Sequence, residues 1–207
     1  MTSHAGEQSR AGRLSRSARR AQLLDSALDV FVAQGYHAAA MHDIAVRAGV
    51  SKPVLYQHFP GKLDLYLALL DAACDQVVAE VREALASTTD NKARVAATTE
   101  AFYSYVADGG GAFRLVFESD LTSEPAVRER VDRVTAACAQ AVAEVIADDT
   151  GLPAEVARLL AVALVGMSQV SARFWLSTPD NTLPQAQAVE LVSGLGWRGI
   201  GGFPRQE

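Results

Sequence analysis

Between residues 21 and 32 the apolar side chains Ala21, Leu24, Leu28, Phe31 and Val32 return mostly at spacings of three and four, and the same rhythm runs through most of the chain. That period lays one apolar stripe along a helix, whereas a half-buried strand needs strict alternation. No alternating run, no hairpin dipeptide between strand-like runs and no internal repeat occurs. The expected fold class is all-α.

Glycine, proline and small polar residues divide this pattern into nine expected helices. The first covers 16–34 and stops at Gly35, which can take the left-handed C-terminal position. A short second helix, 41–48, ends at Gly49. Ser51 caps a third over 52–59, with Pro53 in the first turn, where its missing N–H does no harm. A long fourth helix, 62–86, places Leu63, Tyr66, Leu67, Leu70, Cys74, Val77, Val78 and Val81 on one face. Further helices are expected at about 91–107, 111–119, 124–149, 154–177 and 184–193. The closing stretch GLGWRGIGGFPRQE has too many glycines to remain helical and reads as a flexible tail pinned by Trp197. Its G-x-G spacing has neither a preceding strand nor a following helix, so it is no phosphate loop. The organisation expected is a disordered basic tail (1–15), a first domain (16–77), a helical second domain (78–195) and the tail (196–207).

Charge separates the two ends. Up to Lys62 there are eight basic and four acidic residues, a net +4, while the remainder holds 11 basic and 20 acidic, a net −9, within an overall −5. A basic end on an acidic body suggests that one end meets a polyanion. Cys74 and Cys138 share no metal-ligand spacing and read as buried, reduced thiols. Neither a metal nor a cofactor is expected. The N-terminal stretch lacks the apolar core of a secretory signal. The longest apolar run, 159–172, is broken by Ser168 and Gln169 and falls short of the ~20 residues that span a bilayer. A cytoplasmic protein without membrane attachment is expected.

The stretch AGVSKPVLYQHFPGK, residues 48–62, carries the functional signal. Two short helices separated by Gly49, Val50 and Ser51 make a helix-turn-helix unit at about 40–59. With Leu55 at zero on a helical wheel of about 100° per residue, Phe59 falls near 40°, and Lys52, Pro53, Tyr56 and Gln57 fall between roughly 60° and 200°. Leu55 and Phe59 thus form an inward stripe above Ile44 and Val50, and an ammonium, a phenol, an amide and a flat ring face outward. Lys52 suits guanine O6/N7 or a phosphate, Gln57 suits adenine N6/N7, and Pro53 or Val54 suits a thymine methyl. Tyr56 and Lys62 suit phosphates that fix the docking register. His58 flanks the core stripe without an acidic or histidine partner nearby in sequence, and reads as a packing or helix-bracing residue.

Residues 17–77 resemble the DNA-binding domain of TetR-family transcriptional regulators. The resemblance rests on Phe31, Gly35 and Tyr36, then Ile44-Ala45, Ala48-Gly49-Val50-Ser51, Leu55-Tyr56, His58-Phe59 and Lys62. It implies that 52–59 is a recognition helix, with phosphate contacts from Tyr56, from Lys62 and from groups near the start of the second helix. The resulting DNA-facing set is Ala40, Met41, His42, Arg47, Ser51, Lys52, Pro53, Val54, Tyr56, Gln57, His58 and Lys62. Where the family often has Thr or Ser, this chain has Ala39 and Ala40, so the second helix lacks a capping hydroxyl, a loss of ~1 kcal/mol. His42 or free backbone N–H groups are the replacements, with Asp43 easing the helix dipole.

The acidic body has two expected tasks. One is dimerisation, because a short helix reads few base pairs and a two-fold pair reads a palindrome with half-sites ~34–36 Å apart. The helix at 154–177 is apolar on nearly every side and, with 184–193, is expected to form a four-helix homodimer interface, with Ala161, Ala163, Gly166 and Ser168 permitting close approach. The other task is sensing a small hydrophobic effector in a pocket of Phe102, Tyr103, Tyr105, Phe113, Phe117, Met167, Arg173, Phe174 and Trp175. Arg114, Glu118 and Arg173 are the candidate orienting charges. The leading reading is a homodimeric repressor on double-stranded, palindromic operator DNA, released by that effector. The competitors are a regulator, including an activator, that answers to a protein or to nothing, and an all-α enzyme. No nucleophile–base pair or paired carboxylates favour the enzyme.

Overall fold

A computed structural model of the chain describes residues 14–108, 111, 121, 123–178 and 182–200. Among the described residues the regular elements are eight α-helices: α1 Arg16–Ala38, α2 Met41–Arg47, α3 Lys52–His58, α4 Lys62–Ala86, α5 Asn91–Asp108, α6 Pro125–Thr150, α7 Ala154–Ser177 and α8 Gln185–Ile200. The helix expected at 111–119 lies outside the described residues, apart from its first position, Gly111, which is helical.

 The chain divides into two compact units, residues up to Leu69 and residues from Leu70 on, and each is described by itself.

In the first unit, Ser15 opens α1 by accepting a hydrogen bond from the Ala18 N–H at 3.1 Å. The helix buries Leu23, Ala27, Val30 and Phe31; of the stripe expected from periodicity Phe31 is buried, Leu24 and Leu28 are half-buried, and Ala21 and Val32 are exposed, so the inward face is rotated from the expected one. Its regular course breaks at Gly35, whose φ of 74° and ψ of 166° belong to a region that essentially only glycine occupies. A last turn to Ala38 follows, so α1 extends past the expected stop. Met41, Ile44 and Ala45 of α2, Leu55 of α3, and Phe59 are buried. Phe31, Tyr36 and Tyr66 form an aromatic cluster with ring centres 5.1–5.9 Å apart. The buried face of α4 includes Leu65 and Leu69 as well as Tyr66 and Leu70, while Leu63 and Leu67 are half-buried. The sequence pattern placed that stripe slightly to one side, because nearly every position there is apolar.

The turn between α2 and α3 is built from backbone. Gly49 N–H donates to the Val46 carbonyl at 3.0 Å and Val50 N–H to the Ala45 carbonyl at 3.0 Å, the paired bonds of a Schellman motif. Gly49 sits at φ 64°, as the motif requires.

In the second unit, α6 packs along α7, and α5 packs on both α7 and α8. Ala139, Val142, Ala143 and Ile146 of α6 meet Ala157 and Ala161 of α7 in one core cluster. Asp90 opens α5 through its carboxylate, which accepts from Ala93 N–H at 2.7 Å. Gly151, at φ 70°, closes α6. The glycine-rich stretch expected to be a tail is helical as far as Ile200. Gly196 is the reason: a Cβ there would stand 3.1 Å from Met167 Cε and 3.3 Å from Leu164 Cδ2, so the bare backbone lets α8 approach α7 closely. That packing outweighs the ~1 kcal/mol helix penalty of glycine. By length and composition, α7 is apolar enough to cross a membrane.

Candidate nucleic-acid interface

The buried pair Leu55 and Phe59 anchors α3, which leaves Ser51, Lys52, Pro53, Tyr56 and Gln57 exposed and Val54 half-buried. This is the division expected from the helical wheel. Among the described residues, the side chains of Lys52, Tyr56 and Gln57 make no hydrogen bond, and Tyr56 is 47% exposed. A phenol and an ammonium held out this way are available to an external acceptor. Ser51 occupies the N-cap position, but its hydroxyl makes no capping bond; its carbonyl accepts from Val54 and Leu55 N–H instead. The expected Ser51 side-chain cap is thus absent, and the residue is exposed. At the start of α2, Ala40 is exposed and makes no side-chain cap, Met41 is buried and His42 is exposed. Burial takes the Met41 side chain away from any ligand-facing role.

Two other residues of the expected DNA-facing set are committed to the fold. Arg47 on α2 donates from Nε at 3.0 Å, and also from Nη2, to the Asp29 carboxylate on α1. Lys62 departs further from expectation. Its Nζ donates to the carbonyls of Tyr36 at 2.8 Å, His37 at 3.2 Å and Ala39 at 2.9 Å, and lies 4.5 Å from the Tyr36 ring centre. An ammonium has three N–H donors, so all of them are used. Because α1 ends at Ala38, the Tyr36 and His37 carbonyls have no helical donor, and Lys62 supplies one.

His58 is half-buried beside Phe59, and its carbonyl receives a long hydrogen bond, 3.4 Å, from Arg20 Nη1. The Arg20 guanidinium lies 4.4 Å from the Phe59 ring centre. Gln22 of α1 donates to the Ala48 carbonyl at 3.0 Å, holding the end of α2. These braces from Arg20 and Gln22 were missed in the sequence, where both read as polar positions of an amphipathic helix.

The second unit holds a partly open cavity of about 290 Å³. Its walls include Val81 and Leu85 of α4, Val95 and Phe102 of α5, Val142 and Ile146 of α6, Leu164 and Met167 of α7, and Trp197 of α8. Arg94 supplies a charged group in the wall, bound to Asp149 at 2.7 Å and to Asn91 at 2.9 Å. Of the pocket residues expected from sequence, Phe102 and Met167 line this cavity. Tyr103 is buried elsewhere and donates to Ser171 Oγ at 2.9 Å, and Tyr105 donates to the Ala73 carbonyl at 3.2 Å. Trp175 packs on Tyr103 and donates to the Leu183 carbonyl at 2.8 Å. Arg173 and Phe174 are exposed rather than turned inward, because the helical rotation of α7 puts Ala172 in the core. Phe113, Arg114, Phe117 and Glu118 lie outside the described residues. Periodicity could have found Val95 and Val142, but no local signal joins them to Trp197.

Two stripes of apolar side chains remain uncovered. On α7 they are Leu159, Val162, Val170 and Phe174, the first and last 70% and 72% exposed; on α8 they are Leu191 and Leu195. Of the small residues expected to let two such helices approach, Ala161 is buried in the core and Ser168 lines the cavity. Ala163 is exposed, and a Cβ at Gly166 would meet nothing within 4 Å.

Comparison with known proteins bears on both units. Residues 23–69 match bacterial regulatory proteins of the tetR family, and residues 120–192 match the MftR C-terminal domain. The chain is 48% identical over 200 residues to the HTH-type transcriptional activator FasR of Mycolicibacterium smegmatis, across 97% of this chain and 91% of that protein. A TetR-like transcriptional regulator from Rhodococcus sp. RHA1 superposes with a TM-score of 0.67 at 26% identity, covering 92% of this chain and all of that one. The transcriptional regulator FadR from Bacillus subtilis, solved in complex with stearoyl-CoA, has a TM-score of 0.71 at 18% identity, over 85% of this chain and 96% of its own.

Proposed function

The chain belongs to the TetR family of DNA-binding transcriptional regulators, and from that premise we propose a homodimer that reads a palindromic operator and changes its hold on DNA when a small hydrophobic molecule enters the second unit. The observation that carries the DNA half is the outward set Lys52, Tyr56 and Gln57 on a helix anchored by Leu55 and Phe59. Gln57 and Lys52 read base edges in the major groove, and Tyr56 holds a phosphate. Dimerisation is supported by the uncovered stripes on α7 and α8, whose apolar area a second copy would remove from water. The protein acts in the cytoplasm, where its DNA is.

The effector reading is supported by the largely apolar cavity with Arg94 and Asp149 in its wall. FadR of Bacillus subtilis, which has the same fold, is in complex with stearoyl-CoA. That makes an acyl thioester the first molecule to try. A ligand changes DNA affinity only by favouring one spacing of the two recognition helices over another. In the proposed mechanism it does so by shifting α4, which starts at Lys62.

Repression is the reading reached from sequence. Activation is the second reading, favoured by 48% identity to a protein named as an activator. The experiment has two steps. Fragments bound by the purified protein are selected from a random DNA pool, and the recovered duplex is titrated with and without lipophilic compounds. Half-sites separated by one helical turn and a shift in affinity with one compound support the proposal. A bound monomer, or no shift with any compound, removes the corresponding part. A reporter driven by the recovered sequence separates repression from activation.

A further inference from the structure

We infer that Asp149 makes the cavity of the second unit selective for a molecule whose polar end is uncharged, and that it turns carboxylates away. The inference rests on the effector reading above and adds the chemistry of the ligand. Among the described residues, Arg94 and Asp149 are the charged groups of the cavity wall. Arg94 Nη1 lies 2.7 Å from Asp149 Oδ2, and the two side chains are 18% and 31% exposed. Partly buried charges at that distance are only weakly screened, so each answers the other and the wall carries no net charge.

The guanidinium keeps donors to offer all the same. Of its five N–H groups, Nε donates to the Thr88 carbonyl at 2.8 Å, and Nη1 donates to Asn91 Oδ1 at 2.9 Å and to Asp149. The two N–H groups of Nη2 have no acceptor among the described residues. A carbonyl or hydroxyl oxygen can accept from them without bringing charge. A carboxylate would meet Asp149 across the same guanidinium. The Asp90 carboxylate at the start of α5 and the last carbonyls of α6 add to that negative field.

The rest of the wall suits an apolar body. Asn91, Arg94, Asp149 and Thr150 gather where α5 begins and α6 ends. Phe102 lies about two turns further along α5, and Cys138 about three turns back along α6. Thr98, Thr99 and Thr150 donate their hydroxyls to the carbonyls of Arg94, Val95 and Ile146 in their own helices. The cavity thus has one polar end and an apolar remainder. At the ~30 Å³ of a water, close to that of a methylene, it has room for about ten methylenes.

Calorimetric titration of the full-length protein without DNA tests this. Decanol and decanamide are the uncharged probes and decanoate is the anion, at pH 8, where a carboxylate is ionised. The wild type should bind the uncharged probes at least about tenfold more tightly than decanoate. Asp149→Asn keeps the side chain's size and an oxygen that can accept from Nη1. It should tighten decanoate by about tenfold or more, through the unmasked Arg94 charge, and leave decanol within about threefold. Adding Arg94→Met to Asp149→Asn should abolish that gain.

Equal binding of decanoate and the uncharged probes by the wild type overturns the inference. So does a preference that Asp149→Asn leaves unchanged, or no binding of any probe. Should Asp149→Asn fail to fold, Asp149→Ser is read by the same criteria. Failure of the effector reading looks different: the discrimination persists in the calorimeter, while bound decanol leaves affinity for the recovered duplex unchanged.

Discussion

Tyr36 holds the Lys62 ammonium in two ways, through its carbonyl at 2.8 Å and across its ring at 4.5 Å from the centre. The same ring packs against Phe31 and Tyr66, with centres 5.9 and 5.1 Å away. Charge, backbone and aromatic core are therefore joined at one residue, just after the glycine that breaks α1. Each aromatic pair contributes about 0.5–1.5 kcal/mol beyond burial.

Groups on the recognition helix should separate by role. Tyr56→Phe should weaken binding to every sequence to a similar degree, because a phosphate contact carries no base information. Gln57→Ala should cost ~1–3 kcal/mol at one base-pair position and relax preference there. Competition binding against single-position variants of the recovered operator measures both. A uniform loss from Gln57→Ala would remove it from base reading.

Gly35 and Gly49 should respond differently to substitution. Gly35→Ala should destabilise the protein by about 1–3 kcal/mol, since its backbone lies in a region other residues avoid. Gly49→Asn should cost much less, because asparagine tolerates the left-handed region and the space around a Cβ there is open. Urea unfolding of the two variants checks the order.

The thiols give the protein an alkaline weakness. Burial, helped by the Asp71 and Asp75 carboxylates, pushes Cys74 up to about 12, and burial pushes Cys138 up to about 11, from an ordinary 9.0. The folded state favours the neutral thiols, so their contribution is complete below pH 9 and is lost as pH rises through 9 towards 11–12. Stability measured by urea should decline over that window, and Cys74→Ser with Cys138→Ala should flatten the decline. At pH 8 both thiols should alkylate slowly until the protein is unfolded.

The uncovered stripe on α7 should govern assembly. Phe174→Asp with Leu159→Asp should turn a sedimenting dimer into a monomer, while leaving helical content unchanged because both side chains are already exposed. Operator affinity should fall sharply, since two linked half-site contacts become one. A double variant that sediments as a dimer would place the interface elsewhere.

Much of the candidate interface was legible from local spacing. Leu55 and Phe59 stand four apart, so burying them exposes Lys52, Tyr56 and Gln57 whatever lies elsewhere in the chain. Gly49 and its neighbours likewise specify a turn through backbone bonds that reach only three to five residues. The bonding of Lys62 was not legible, because its acceptors lie 23 to 26 residues away and are presented by the end of α1. The cavity of the second unit was legible only in part. Aromatic density pointed to Phe102, but also to Tyr103 and Tyr105, whose hydroxyls are engaged elsewhere in the core.

The division follows the range of the forces. Periodicity, glycine conformation and the basic N-terminal third act within a few residues, and they alone determined an all-helical chain with a short outward-facing recognition helix. Tertiary packing decided which cation binds protein rather than solvent, which face of α7 turns from the core, and that a glycine-rich stretch stays helical. Those outcomes depend on groups distant in sequence meeting within hydrogen-bonding or van der Waals range, and the geometry of that meeting exists only in the folded chain.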